Sequence, residues 1–130
     1  MAIDPKHPNI TAQVDMFPAN TTDVSSGSPR VFVTQATNLD LVKATRFGEL
    51  YPLVAQNLNV VMQPTEVIDA LYNGLSEYTP EDFLLPTGDP VIIGLAFIAA
   101  SEISGGFLRV LKWDRQINDY YPVRLNLNDR

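Results

Sequence analysis

The residues best placed for chemistry are the acids around a proline-framed turn. Pro86-Thr87-Gly88-Asp89-Pro90 falls between a short apolar run and a long one. That is where α/β folds present ligand-binding loops and free backbone N–H groups. Glu81, Asp82 and Asp89 would supply carboxylates for a magnesium ion if the fold brought them together. Helix capping explains the same residues more simply: Asp89 is an N-cap, Pro90 a first helical residue and Gly88 a turn former. An acidic cap repels phosphate, and the loop lacks both a lysine and a glycine-rich cradle. No catalytic residue, metal or cofactor is therefore assigned. A small magnesium- or nucleotide-binding enzyme centred on Asp89 is the third-ranked function.

Other chemistries are narrowed by composition. The 130 residues include no cysteine and one histidine, which removes thiolate nucleophiles and Cys-based metal sites. His7 sits between Lys6 and Pro8 near the N-terminus, so the body has no imidazole for a triad or a zinc site. Fifteen acids against nine Lys and Arg give a net charge of -6, the wrong sign for a nucleic-acid backbone partner. Residues 1–10 lack the pattern of a signal peptide. The longest apolar stretch, 91–100, falls far short of the ~20 residues a bilayer span requires. The expectation is a soluble protein with no membrane or nucleic-acid partner.

Two clusters point to protein contacts instead. Trp113 with Lys112, Asp114, Arg115 and Gln116 is the densest mixture of aromatic and charged residues, and Trp and Arg are hot-spot types. Tyr120 and Tyr121 lie across a turn from it. The plainer account packs Trp113 into the core and leaves the charges in water. The second cluster, Gln13-Val14-Asp15-Met16-Phe17, resembles the peptide with which bacterial replication and repair proteins dock on the sliding clamp. In that resemblance Gln13 supplies hydrogen bonds while Met16 and Phe17 fill an apolar pocket. The alternative is that Met16 and Phe17 pin this segment to the protein itself or to a neighbouring copy.

Those clusters must be held by elements legible in the pattern. Residues 1–29 hold four of the ten prolines and a polar run at 20–28, which predicts an extended, flexible arm. Residues 30–130 read as one domain. Residues 31–35 and 59–63 are β-branched and predict the first two strands, with 38–52 a connecting loop that has room for a helical turn. Pro64 opens a helix in which Val67, Ile68, Leu71, Tyr72 and Leu75 recur at helical spacing, with Gly74 as its stop. Residues 82–86 predict a short buried strand. Residues 91–103 predict a helix buried on more than one side, ended at Ser104-Gly105-Gly106. Residues 107–113 and 120–127 alternate around a turn, a hairpin whose Pro122 places its strand at an edge. The fold class is α/β or α+β: a mixed sheet of about five strands, two main helices and a C-terminal β-hairpin, behind an N-terminal arm.

Asp82-Phe83-Leu84-Leu85, Gly88-Asp89-Pro90, Leu111-Lys112-Trp113-Asp114-Arg115-Gln116 and Tyr120-Tyr121-Pro122-Val123 resemble a set found in small proteins of tailed bacteriophages. The likeness extends over residues 30–127, and residues 1–29 depart from it. It implies origin and fold, with no attached activity. The expected function is a non-enzymatic bacteriophage structural or assembly protein, in the virion or the host cytoplasm. Its expected partners are other phage proteins or further copies of itself, bound through the arm and the hairpin edge. The partner-binding residues assigned are Gln13, Val14, Asp15, Met16, Phe17, Trp113, Arg115 and Tyr120. The second-ranked function is a replication-associated or host-takeover adaptor that reaches the sliding clamp through residues 13–17.

Overall fold

Residues 28–130 are described in the computed structural model. In chain order they form β1 (Arg30–Gln35), a 3-10 helix (Val42–Phe47), β2 (Glu49–Val54), α1 (Pro64–Gly74), β3 (Phe83–Leu85), α2 (Pro90–Ser104), β4 (Phe107–Asp114) and β5 (Asp119–Asn126). The strands make one sheet in the order β2-β1-β3-β4-β5. The first four run parallel, and β5 returns antiparallel to β4. This is the mixed five-stranded sheet with two main helices and a terminal hairpin that the sequence predicts.

Strand order decides which face each connection covers. From β1 the chain steps to β2 on one side, and from β2 and then β3 it steps the other way. Crossovers of one hand running in opposite directions land on opposite faces. Accordingly, Ala44 and Phe47 of the 3-10 helix pack with Val31, Val33, Phe83, Leu85 and Leu111. On the other face, Ala99 and Ala100 of α2, with Leu75 at the end of α1, pack on Phe32, Leu84, Leu108 and Val110. β3 has three residues, all buried, because it lies between two covered faces.

Local signals set the helix ends. The Asp89 carboxylate accepts the Val91 N–H at 2.8 Å, Pro90 follows it, and Gly105 closes α2 in the left-handed region at φ 73°, where a Cβ is costly. Ile92, Ala96, Ala99 and Ala100 face inward, and the alanines let α2 approach the sheet closely. Two sides of α2 are covered, one by the sheet and one by Val67 and Leu71 of α1. The third side is open: Val91 is 56% and Ile98 52% exposed.

The second strand differs from expectation. Residues 59–63 are a turn, in which the Asn59 side-chain oxygen accepts the N–H groups of Val61 at 2.8 Å and Met62 at 3.3 Å. An Asn side chain that bonds its own backbone takes the donors a ladder would use. The strand is Glu49–Val54 instead, its first four residues within the stretch expected to be loop. Pro52 obscured it, and Pro52 is tolerated because β2 is an edge strand. Pro122 stands opposite Leu111 on β5, the other edge, as its missing donor predicts.

The amino ends of β1 and β3 are joined by charge. Asp82, 3% exposed, accepts the Arg30 backbone N–H at 2.9 Å and the Arg30 guanidinium at 3.1 Å. It also accepts the Thr79 N–H at 3.0 Å. Next to this, the Arg109 guanidinium lies 3.8 Å from the Phe83 ring centroid and donates to the Glu81 carbonyl. The Tyr78 hydroxyl accepts the Arg109 N–H at 3.4 Å. Burial pushes Tyr78 up to about 12; burial, with Arg124 nearby, pulls Arg109 down to about 10.

Replacing Asp82 by Ala strands two backbone donors and leaves Arg30 with Glu77 alone, and urea unfolding is expected to show a loss of about 3 kcal/mol. Tyr78, raised above the ordinary value of 10.0, contributes stability that is complete below pH 10 and lost as pH climbs through about 12. An ultraviolet titration of the folded protein therefore shows one late tyrosine step near 12, absent from Tyr78→Phe. Arg109, lowered, contributes with the opposite sign over the same range.

Candidate functional site

In open α/β sheets ligands settle beyond the carboxyl ends of two neighbouring strands whose connections leave in opposite directions. Here those strands are β1 and β3, and the crevice between them is filled by the protein's own side chains. Thr34 Oγ1 accepts the Thr87 N–H at 2.8 Å and donates to the Thr87 carbonyl at 2.6 Å. Gln35 Oε1 accepts the Asp89 N–H at 2.9 Å. Its Nε2 donates to the Ala55 and Leu58 carbonyls at 3.2 and 3.3 Å. Gly88 completes the seal at φ 93°: a Cβ built there would sit 2.4 Å from Gln35 Oε1. The Thr87, Asp89 and Val91 N–H groups of this turn are already occupied.

The carboxylates of the same turn do not converge. Asp82 precedes β3 and is held by Arg30 and Thr79, whereas Asp89 follows β3 and caps α2. Glu81 lies beside Asp82, away from Asp89. Among the described residues no group of three His, Cys, Asp or Glu could hold a metal ion.

One strand further along, a cleft of about 690 Å³ opens at the carboxyl end of the sheet, walled by Leu39, Asp40, Leu85, Leu111, Trp113 and Tyr120. The hairpin builds it. Trp113 stands directly opposite Tyr120, the rings meeting edge to face with centroids 5.0 Å apart. Asn118, at φ 54°, makes the turn between the two strands, a conformation Asn adopts more readily than most side chains. From the 3-10 helix the Lys43 ammonium reaches across to the Asn118 carbonyl at 2.6 Å and lies 5.8 Å from the Trp113 ring. Arg46 pairs with Asp119 at 2.9 Å. Burial pushes the Tyr120 hydroxyl above the usual tyrosine range, and the carboxylates of Asp119 and Asp40 add to the push.

These walls offer burial and aromatic contact, and Asp40 and Lys112 are their charged members. Two residues of the cleft wall are exposed apolar side chains, Leu39 at 70% and Trp113 at 40%; Val42 of the 3-10 helix and Ile117 of the hairpin turn are exposed at 61% and 51%. Of the assigned partner-binding residues, Trp113 and Tyr120 are brought together, while Arg115 is exposed in the turn and does not line the cleft. Gln13, Val14, Asp15, Met16 and Phe17 lie outside the described residues. Sequence reasoning missed Leu39, Val42 and Lys43, which lie in the stretch read as a connecting loop.

The plugged crevice makes Gly88 a structural position. Gly88→Ala, strained by its φ and by Gln35, is expected to cost about 1–3 kcal/mol in thermal or urea unfolding while the hairpin aromatics keep their fluorescence in the folded state.

No helix among the described residues is long and apolar enough to cross a membrane. No curated protein and no solved structure matches the chain. A family model does, that of the Phage Pam3 gp32-like protein, over residues 29–127. That span runs from the start of β1 to just past β5 and takes in the hairpin, the cleft and the sealed crevice. The chain is a member of the Phage Pam3 gp32-like protein family.

Proposed function

We propose that this phage protein is a non-enzymatic structural or assembly component that works by docking other chains, in the virion or during its construction in the host cytoplasm. The observation that carries the reading is the exposed apolar character of the cleft wall, at Leu39 and Trp113, and of the 3-10 helix and hairpin turn, at Val42 and Ile117. It is set beside a crevice whose polar groups are spent on internal hydrogen bonds. An exposed apolar cluster with a polar surround fits a protein contact. Trp113 anchors it, because its ring is fixed by Tyr120 and Lys43 and so loses little freedom on binding.

The hairpin contributes side chains more readily than backbone. An outer strand invites strand addition, but β5 carries Pro122 in its middle and β2 carries Pro52. Each proline deletes a donor that an incoming strand would need. The contact surface is therefore the hairpin's cleft end, with its ladder edge guarded.

Mass spectrometry of purified particles is expected to detect the chain at a constant ratio to the major structural proteins. Trp113→Ala gives up about 1 kcal/mol of ring contact and still folds, yet it is expected to be made at normal level and depleted from particles at least tenfold. Absence of the wild-type chain from particles and from assembly intermediates overturns the reading.

A further inference from the structure

We infer that the partner docked at the hairpin end is a second copy of this chain, bound head to tail through its helix layer. This names the partner for the reading above and rests on it. Residues 47–108 hold eight Asp and Glu and no Lys or Arg, whereas residues 109–130 hold five Lys and Arg against three Asp. Folding turns that division into two surfaces. On the helix layer, Glu66, Asp69, Asp89 and Glu102 are exposed, and neither helix contains a cation. On the opposite side, the 3-10 helix and the hairpin expose Lys43, Arg46, Arg115 and Arg124, whereas Lys112, which alternates with Trp113, shares the helix side of β4 with Leu108 and Val110. Asp40, Asp114 and Asp119 lie among these cations, and Arg46 pairs with Asp119, so this surface keeps a net positive charge.

Each surface has an apolar centre to match. On α2, Val91, Leu95, Ile98 and Glu102 fall on one stripe by helical spacing. Beside it on α1, Ile68 and Tyr72 are 40% and 37% exposed. The Tyr72 hydroxyl donates to Glu102 at 2.6 Å, which knits the two stripes into one band. Nothing stands within 4 Å of where a Gly94 side chain would begin, so the band has a shallow notch between Val91 and Ile98. The hairpin end presents Trp113 and Ile117 with a basic surround. An acidic rim about an apolar band and a basic rim about an apolar knob attract each other and repel their own kind. Like-to-like pairing of either surface is disfavoured by the same charges. The contact is therefore heterologous, and repetition closes into a ring or continues as a helical stack.

The test uses the full chain in analytical ultracentrifugation. Wild type is expected to grow beyond a monomer with concentration, and to weaken at least tenfold on raising salt to about 1 M, where charges are screened beyond roughly 3 Å. Ile98→Glu and Trp113→Glu each spoil one surface and leave the other, so each alone is expected to be monomeric. Mixed together, they are expected to give a dimer and nothing larger, through the intact hairpin end of one and the intact helix band of the other. Val91→Glu and Ile117→Glu, checked for native circular dichroism, repeat the design should a first variant misfold. A chain monomeric at every concentration overturns the inference and leaves both surfaces to other proteins or to residues 1–27. Association that survives either substitution, or a mixture that stays monomeric, also overturns it. The particle assay of the preceding section fails or succeeds independently of these outcomes.

Discussion

The arrangement depends on holding a three-residue strand in the middle of a sheet. β3 pairs with β1 through Val31, Phe32 and Val33, too few ladder bonds to fix a register by themselves. A slip of one residue would turn Leu84 from the helix face to the other and bring Phe83 and Leu85 the wrong way. Side chains supply what the ladder lacks. Asp82 ties the amino end to Arg30, and Thr34, Gln35 and Thr87 tie the carboxyl end. Buried polar groups are expensive unless satisfied, so these bonds form together or the pairing fails. The register they impose places Leu84 under α2 and Phe83 under the 3-10 helix, and from it both cores follow.

Those same bonds explain why the usual ligand position of an α/β sheet is closed here. Gln35 reaches past β2 to the Ala55 and Leu58 carbonyls and past β3 to the Asp89 N–H. A side chain with two donors and an acceptor spans the crevice that a cofactor's phosphate would otherwise fill. The open space moves one strand over, where aromatic residues of the hairpin form its wall.

Much of the fold was legible because its signals are local. Asp89-Pro90 and Gly105 mark α2 within their own few residues, and the alternation at 120–127 with Pro122 marks an edge. What was hidden depends on partners distant in the chain. β2 reads as a loop until its edge position excuses Pro52, and residues 59–63 read as a strand until Asn59 is seen to bond its own backbone. The site followed the same division. Trp113 and Tyr120 were recognisable as hairpin neighbours, whereas Lys43 comes to Trp113 only because the direction of the β1–β2 crossover carries the 3-10 helix over that face. Thr34 and Gln35 looked like the polar end of a strand; the Thr87 and Asp89 N–H groups they accept lie more than 50 residues on.

That separation also has a kinetic side. β1 is made first, yet its central neighbour begins at Phe83 and β3's other neighbour at Phe107. At roughly 5–20 residues per second of ribosomal synthesis, β1 waits about 3–10 s for β3 to be made. During that interval β2 is its available mate, and the pair cannot bury both faces. Closing so long a loop before any reward from the central pairing raises the entropic barrier. β1 is therefore secured only after β3 and the helix that covers it have been made.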